Sequence, residues 1–260
     1  MDYETIIVER KGYVGSITLN RPEQLNTFTT QLAHDLNSAL RELDQDPKVR
    51  VVVIKGAGRA FCAGIDVKEL SGKDILEIRT WVRTMDEHNL TIANMKKPVI
   101  AAVHGAAVAN GAGLVTACDL AIAAEDARIG TTAINVGLFC FGPSVPLSRS
   151  LGRKRSLELL LTGDIISGVE AERIGLVNKA VPVEKLEEAV MELAEKLASK
   201  SPVALQLGKT SVYKMSDMGF QDALAYVGET FSILCSTDDA REGIDAFLNR
   251  RTPRWTRESA

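Results

Sequence analysis

Hydrophobic periodicity divides the chain into two stretches of different character. Ile6-Ile7-Val8 and Val14-Gly15-Ser16-Ile17-Thr18-Leu19 flank Lys11-Gly12, a pattern that predicts a β-hairpin. Over residues 29–46, Leu32, Leu36, Leu40 and Leu43 recur at helical spacing, with Thr29 or Thr30 as N-cap and Pro47 past the end. Val51-Val52-Val53-Ile54 is then a continuous β-branched run, as a buried strand requires. A further helical stretch leads to the apolar runs Pro98-Val99-Ile100-Ala101-Ala102-Val103 and Leu120-Ala121-Ile122-Ala123. Strands alternating with helices predict an α/β core. After Pro182 the pattern turns to helices alone, over residues 184–201, 203–214, 217–235 and 238–250. The stripe Leu186, Val190, Leu193 and Leu197 is more than a lone surface helix hides, so this part is expected to pack on the core or on another subunit. The expected organisation is a core over residues 1–182 and a helical region over 183–260.

Composition narrows the function classes. Of 260 residues, 45% are hydrophobic and 25% charged, in the globular range. The formal net charge is -3 with acids and bases interspersed, which gives no electrostatic footing for a nucleic-acid partner. No apolar run approaches the roughly 18 residues of a membrane span. Met1-Asp2-Tyr3-Glu4-Thr5 has no basic patch leading into an apolar stretch, so a cytoplasmic location is expected. Cys62, Cys118, Cys140 and Cys235 are widely spaced, suggesting neither a disulfide framework nor a zinc site.

Two glycine-bearing segments carry the candidate chemistry. Ala60-Phe61-Cys62-Ala63-Gly64-Ile65-Asp66 follows the buried strand, and Gly56, Gly58 and Gly64 free its backbone for close approach to a ligand. His104-Gly105-Ala106-Ala107-Val108-Ala109-Asn110-Gly111-Ala112-Gly113-Leu114 lies between a strand and a run able to start a helix, where unpaired N–H groups point outward. Loops at the ends of neighbouring strands are able to aim one N–H each at the same oxygen, as a thioester enolate requires.

These residues also carry a family resemblance. Asn20-Arg21-Pro22-Glu23-Gln24-Leu25-Asn26, the run from Ala60 to Asp66, Lys97-Pro98-Val99-Ile100-Ala101-Ala102-Val103-His104-Gly105, Cys118-Asp119-Leu120 and Leu161-Thr162-Gly163-Asp164 resemble enoyl-CoA hydratase/isomerase (crotonase) motifs, in order and over nearly the whole chain. The resemblance implies a spiral of βαβ units with a C-terminal helical trimerisation region, assembled as a homotrimer or a hexamer of paired trimers. It implies an acyl-CoA thioester as ligand, with coenzyme A entering as part of the substrate and no cofactor bound. The backbone N–H groups of Ile65 and Asn110 match the family's oxyanion-hole donors, and Leu25 and Ala63 match positions around the CoA. Asn135 and Cys140 lie on a segment expected to line the pocket, along with Thr132 and Ser144. Arg250 and Arg251 are candidates to meet a CoA phosphate across a subunit boundary.

The departures matter as much. Hydration in this family uses two glutamates, one to activate water and one to deliver the α-proton. The spacing between His104-Gly105 and Cys118-Asp119 matches the family without a gap and puts the first at Gly113; Gly130 and Gly137 put the second at Ala133. The acid used by some isomerases and by an aromatic dehalogenase falls near Phe141, so no carboxylate occupies any of the three positions. Cys140 is expected to be core rather than nucleophile, since no cation adjoins it. His104, Asp66 and Asp119 are expected to be structural anchors. The readings left open are a CoA-thioester enzyme of hydratase/isomerase type using an unfamiliar acid or ordered water, a malonyl-type decarboxylase needing no base, and a non-catalytic acyl-CoA binder.

Overall fold

The computed structural model describes residues 3–255; Met1, Asp2 and residues 256–260, the ends of the two expected regions, lie outside it. Six strands form the larger sheet in the order β1 (Ile6–Lys11), β2 (Val14–Leu19), β3 (Val51–Gly56), β5 (Val99–Val103), β7 (Leu120–Ala124) and β10 (Lys179–Val181). The β1–β2 hairpin is antiparallel and the other pairs are parallel. A second sheet joins β4 (Ala60–Cys62), β6 (Ala106–Val108), β8 (Arg128–Gly130) and β9 (Ile165–Ser167). The chain steps from the first sheet to the second after β3, β5 and β7 and comes back to the first each time, which produces a spiral of βαβ units. The step from β3 demands glycine: a Cβ on Gly56 would meet the Phe61 carbonyl at 2.7 Å and the Ala60 carbonyl more closely still.

Helix α1 (Thr30–Gln45) joins β2 to β3, α2 (Ile75–Asn94) and α3 (Asn110–Ala117) return the chain to β5 and β7, and α4 (Phe141–Thr162), interrupted by non-helical Gly152, leads from β8 to β9. Thr29 caps α1, its hydroxyl accepting from the Leu32 N–H at 3.2 Å, and the predicted leucine stripe is entirely buried. Truncating one of these leucines to alanine would cost about 2–5 kcal/mol. Asp74 and Glu77 form a capping box that starts α2. The three-residue strands of the second sheet were not predicted, because they are too short to display a period.

Short α5 (Gly168–Arg173) precedes β10, and four helices follow among the described residues, as expected: α6 (Leu186–Ala198), α7 (Pro202–Met215), α8 (Phe220–Cys235) and α9 (Asp238–Leu248). They are not equivalent. α6 lies across β3, β5 and β7, burying Leu186, Val190, Ala194 and Ala198. α7 is pinned to the core by Asp119, which accepts from Lys209 Nζ at 2.7 Å and the Tyr213 hydroxyl at 3.0 Å. α8 buries no residue, and Phe231, Phe247 and Leu248 leave 66, 82 and 72% of their surface exposed.

Candidate active site

The first loop is set by Asn26. A 3-10 turn at Pro22–Gln24 ends in two residues with positive φ, Leu25 at 52° and Asn26 at 56°. Asparagine tolerates that region, and the buried Asn26 side chain uses it: Oδ1 accepts from the Arg21 N–H at 2.9 Å, and Nδ2 donates to the Ala57 and Ala60 carbonyls at 2.9 and 2.8 Å. The turn is thereby tied to β4. Leu25 then accepts from the Ala63 N–H at 3.0 Å, so these two predicted site residues are bonded to each other. Phe28 forms a parallel bridge around Ile65, donating to Gly64 and accepting from Asp66. A residue bracketed in this way turns its own N–H to the opposite side. The Ile65 N–H has no acceptor among the described residues.

The second loop delivers a matching group. Ala109 holds φ 49° and ψ -115°, a strained conformation for a residue with a side chain, and its N–H donates to the Gly130 carbonyl at 2.8 Å. α3 begins immediately after it. Its first N–H, on Asn110, has no acceptor among the described residues, while the Asn110 side chain donates to the Met85 carbonyl of α2 at 3.2 Å. The loops interlock through glycines. At Gly64, with φ 95°, a Cβ would stand 3.0 Å from Ala109 Cβ and 3.8 Å from Asn110 N; at Gly111 a Cβ would collide with the Cys62 carbonyl. Two unpaired backbone donors on touching loops, one at a helix N-terminus, are able to hold an oxygen that gains negative charge.

The remaining predicted residues are distributed unevenly. Gly113 is buried against α4, where a Cβ would meet Pro143 Cγ at 2.8 Å, so no larger side chain fits without displacing that ring. Ala133 and Asn135 lie on a 3-10 turn over Thr132–Val136; Asn135 is exposed and reaches the Gly163 carbonyl at 3.4 Å. Cys140 precedes α4 and is buried; burial raises its thiol pKa, opposing nucleophilic use. Cys62, behind the first loop, is pushed up to about 12 by burial. Ser144 caps back onto the Phe141 carbonyl at 2.7 Å. His104 bonds the Gly58 carbonyl at 2.9 Å, and Asp66 and Asp119 accept the Lys68 and Val99 N–H groups, as anchors. Arg250 and Arg251 follow α9, and Arg251 pairs with Glu242 at 2.6 Å and Asp245 at 2.5 Å. Among the described residues no hydrogen bond or ion pair joins these arginines to the two loops, and no group of His, Cys, Asp and Glu could hold a metal.

Sequence reading missed two polar residues of the neighbouring helix α2, Asp86 and His88. His88 is entirely buried, its ring 5.3 Å from that of Phe28, and neither ring nitrogen has a hydrogen-bond partner among the described residues. Burial holds its pKa down to about 4. Asp86 turns the other way, its carboxylate lying where a Cβ on Gly142 of α4 would fall. Burial pushes it up to about 6. A signal existed: His88 stands on the stripe Trp81, Met85, Ile92, where a polar residue on an apolar face asks for an explanation.

The fold and paired loops define the crotonase class, and the enoyl-CoA hydratase/isomerase family model matches residues 9–258. The chain belongs to that family. It is 38% identical over 258 residues to a probable enoyl-CoA hydratase of Rhizobium meliloti, covering 96% of this chain and 97% of that one. Enoyl-CoA hydratase domain-containing protein 3 of Rattus norvegicus is 36% identical over 244 residues, covering 94% of this chain and 81% of the relative. Among solved structures, an enoyl-CoA hydratase of Mycobacterium smegmatis superposes with a TM-score of 0.94 at 37% identity, covering 97% of this chain and 99% of that one. The human domain-containing protein 3 gives 0.93 at 34% identity, covering 97% and 100%.

Proposed function

We propose that the protein is an acyl-CoA-processing enzyme of hydratase/isomerase type that polarises a thioester carbonyl between the N–H groups of Ile65 and Asn110. The observation carrying this reading is the pair of unpartnered donors on interlocked loops. Family membership and relatives named as enoyl-CoA hydratases support the substrate class. A preorganised donor pair stabilises an enolate oxygen more than the ground-state carbonyl, and one such donor is worth roughly 10²–10³ in rate. The positions that the resemblance equates with the family's glutamates are Gly113 and Ala133, so proton transfer falls to a different group. The exposed apolar surface of α8 and α9 supports assembly into trimers, which light scattering would measure.

Calorimetric titration with acetyl-CoA and crotonyl-CoA, followed by ultraviolet monitoring of the enoyl double bond, tests the reading. Binding with loss of the enoyl signal is expected. Binding without loss of that signal would point to another CoA reaction or to a binder; no binding would overturn the assignment.

A further inference from the structure

The site as described has donors for an oxyanion but no proton carrier, and three observations converge on one side chain. The Asp86 carboxylate packs against Gly142, the residue next to Pro143, which covers Gly113. The residue before it, Met85, offers its carbonyl to Asn110, which also carries one of the two free N–H groups. Asp86 therefore stands where α2, α3 and α4 meet. Its carboxylate has no hydrogen bond or ion pair among the described residues, whereas the half-buried carboxylates Glu69 and Asp66 are satisfied by Trp81 and Thr30 and by the Lys68 N–H. An unpaired carboxylate in such a place is costly and calls for a ligand or a reaction.

We propose that Asp86 is a catalytic residue, the carboxylate that carries the proton to and from the α-carbon of the bound thioester; this rests on the acyl-CoA reading above. One Asp86 oxygen takes the α-proton. The C–H electron pair moves into the thioester as an enolate whose oxygen lies between the Ile65 and Asn110 N–H groups, and the reverse step returns the proton to carbon. Burial tunes the carboxylate to about 6, close to the range in which a general base is both ionised and basic. Burial is the cause of this shift, with no charge–charge contribution beside it. On α1, Asn37 bonds Thr91 and Arg41 pairs with Glu87; α3 presents Asn110 and α4 Gly142; on α7, Lys209 is engaged by Asp119 and the Lys97 carbonyl, and Lys214 faces Tyr226. On the same helix His88 is held neutral by burial, Glu87 pairs with Arg41, and Arg79 and Arg83 are exposed; Cys140 ahead of α4 is held as the thiol.

The test is exchange of the α-protons of butyryl-CoA for deuterium in D2O, read by mass spectrometry, beside calorimetric binding of the same compound. Wild-type protein is expected to bind and exchange, with the rate falling as pH drops through about 6. Asp86→Asn should bind equally well and exchange at least about a hundredfold more slowly, and Asp86→Glu should recover part of the rate. Exchange by Asp86→Asn at the wild-type rate would overturn the proposal, as would wild-type protein that binds butyryl-CoA without exchanging it. The pH profile needs no variant, so it decides the matter even if Asp86→Asn folds poorly, a flat profile through pH 6 counting against Asp86. Wild-type protein that fails to bind butyryl-CoA would overturn the acyl-CoA reading and this proposal with it.

Discussion

The two interlocked loops and the adjoining face of α2 touch through Asn110 and Met85, yet they hold their polar groups by opposite means. In the loops the proposed working groups are main-chain N–H donors, set by Asn26, by the Phe28 bridge and by glycines that leave no room for a Cβ. On α2 the polar groups are side chains: among the described residues His88 has no hydrogen-bond partner for either nitrogen, and the Asp86 carboxylate has none either. A backbone site survives side-chain change as long as its turns survive. A side-chain site is free to move from one helix to another, provided the geometry around the bound carbonyl is kept.

The comparison breaks most sharply at Gly113. Gly113→Glu, which restores the residue type that the resemblance implies there, should drive its side chain into Pro143 and destabilise the fold by about 3 kcal/mol or more, measured by denaturant titration. Recovery of hydratase activity by a stable Gly113→Glu protein would show that the seam has room for a glutamate after all. Next in size is Gly64→Ala, which adds a Cβ at φ 95° against Ala109 and pushes the loops apart. Turnover should fall about a hundredfold, mainly in kcat, whereas an effect confined to KM would separate the loops from the chemistry.

The α2 groups predict opposite pH signatures. The folded-state pKa of His88 is depressed to about 4 from 6.5, so its imidazole charges more readily in the unfolded chain, and stability is lost as pH falls from 6.5 towards 4. From pH 8 to pH 5 the wild type should lose about 2 kcal/mol more than His88→Leu, measured by urea titration at each pH. Asp86 is the reverse case. Its folded-state pKa is raised from 3.8 to about 6, so ionisation penalises the fold, a penalty that is absent below about pH 4 and complete above about pH 6. After allowance for its partial exposure, Asp86→Asn should gain about 1–2 kcal/mol at pH 8 and nothing at pH 4. A variant that loses exchange activity while gaining stability is what a strained catalytic carboxylate predicts.

Much of this was legible in the chain. The hairpin, the leucine stripe of α1, the buried runs of β3, β5 and β7 and the four C-terminal helices each extend over at least four residues, long enough to show a period. The glycine-bearing loops were legible because closely approaching backbone leaves glycines behind. The second sheet was not, since strands of three residues have no readable alternation. The division of labour among the last helices was also hidden: α6 and α8 are both apolar along one face, but only α6 lies on the sheet.

The sequence by itself determined the longer strands and helices, the family and the absence of carboxylates at 113, 133 and 141, because local periodicity and motif spacing are properties of the chain alone. Only the tertiary structure decided that Gly113 is roofed by Pro143, that Arg251 is held by Glu242 and Asp245, and that Asp86 faces Gly142 at the junction with Asn110. Asp86 and Asn110 are 24 positions apart, and Gly142 lies 32 beyond Asn110. Whether such groups meet depends on how α2, α3 and α4 pack, and burial, which shifts a carboxylate towards catalytic use, exists only once they have packed.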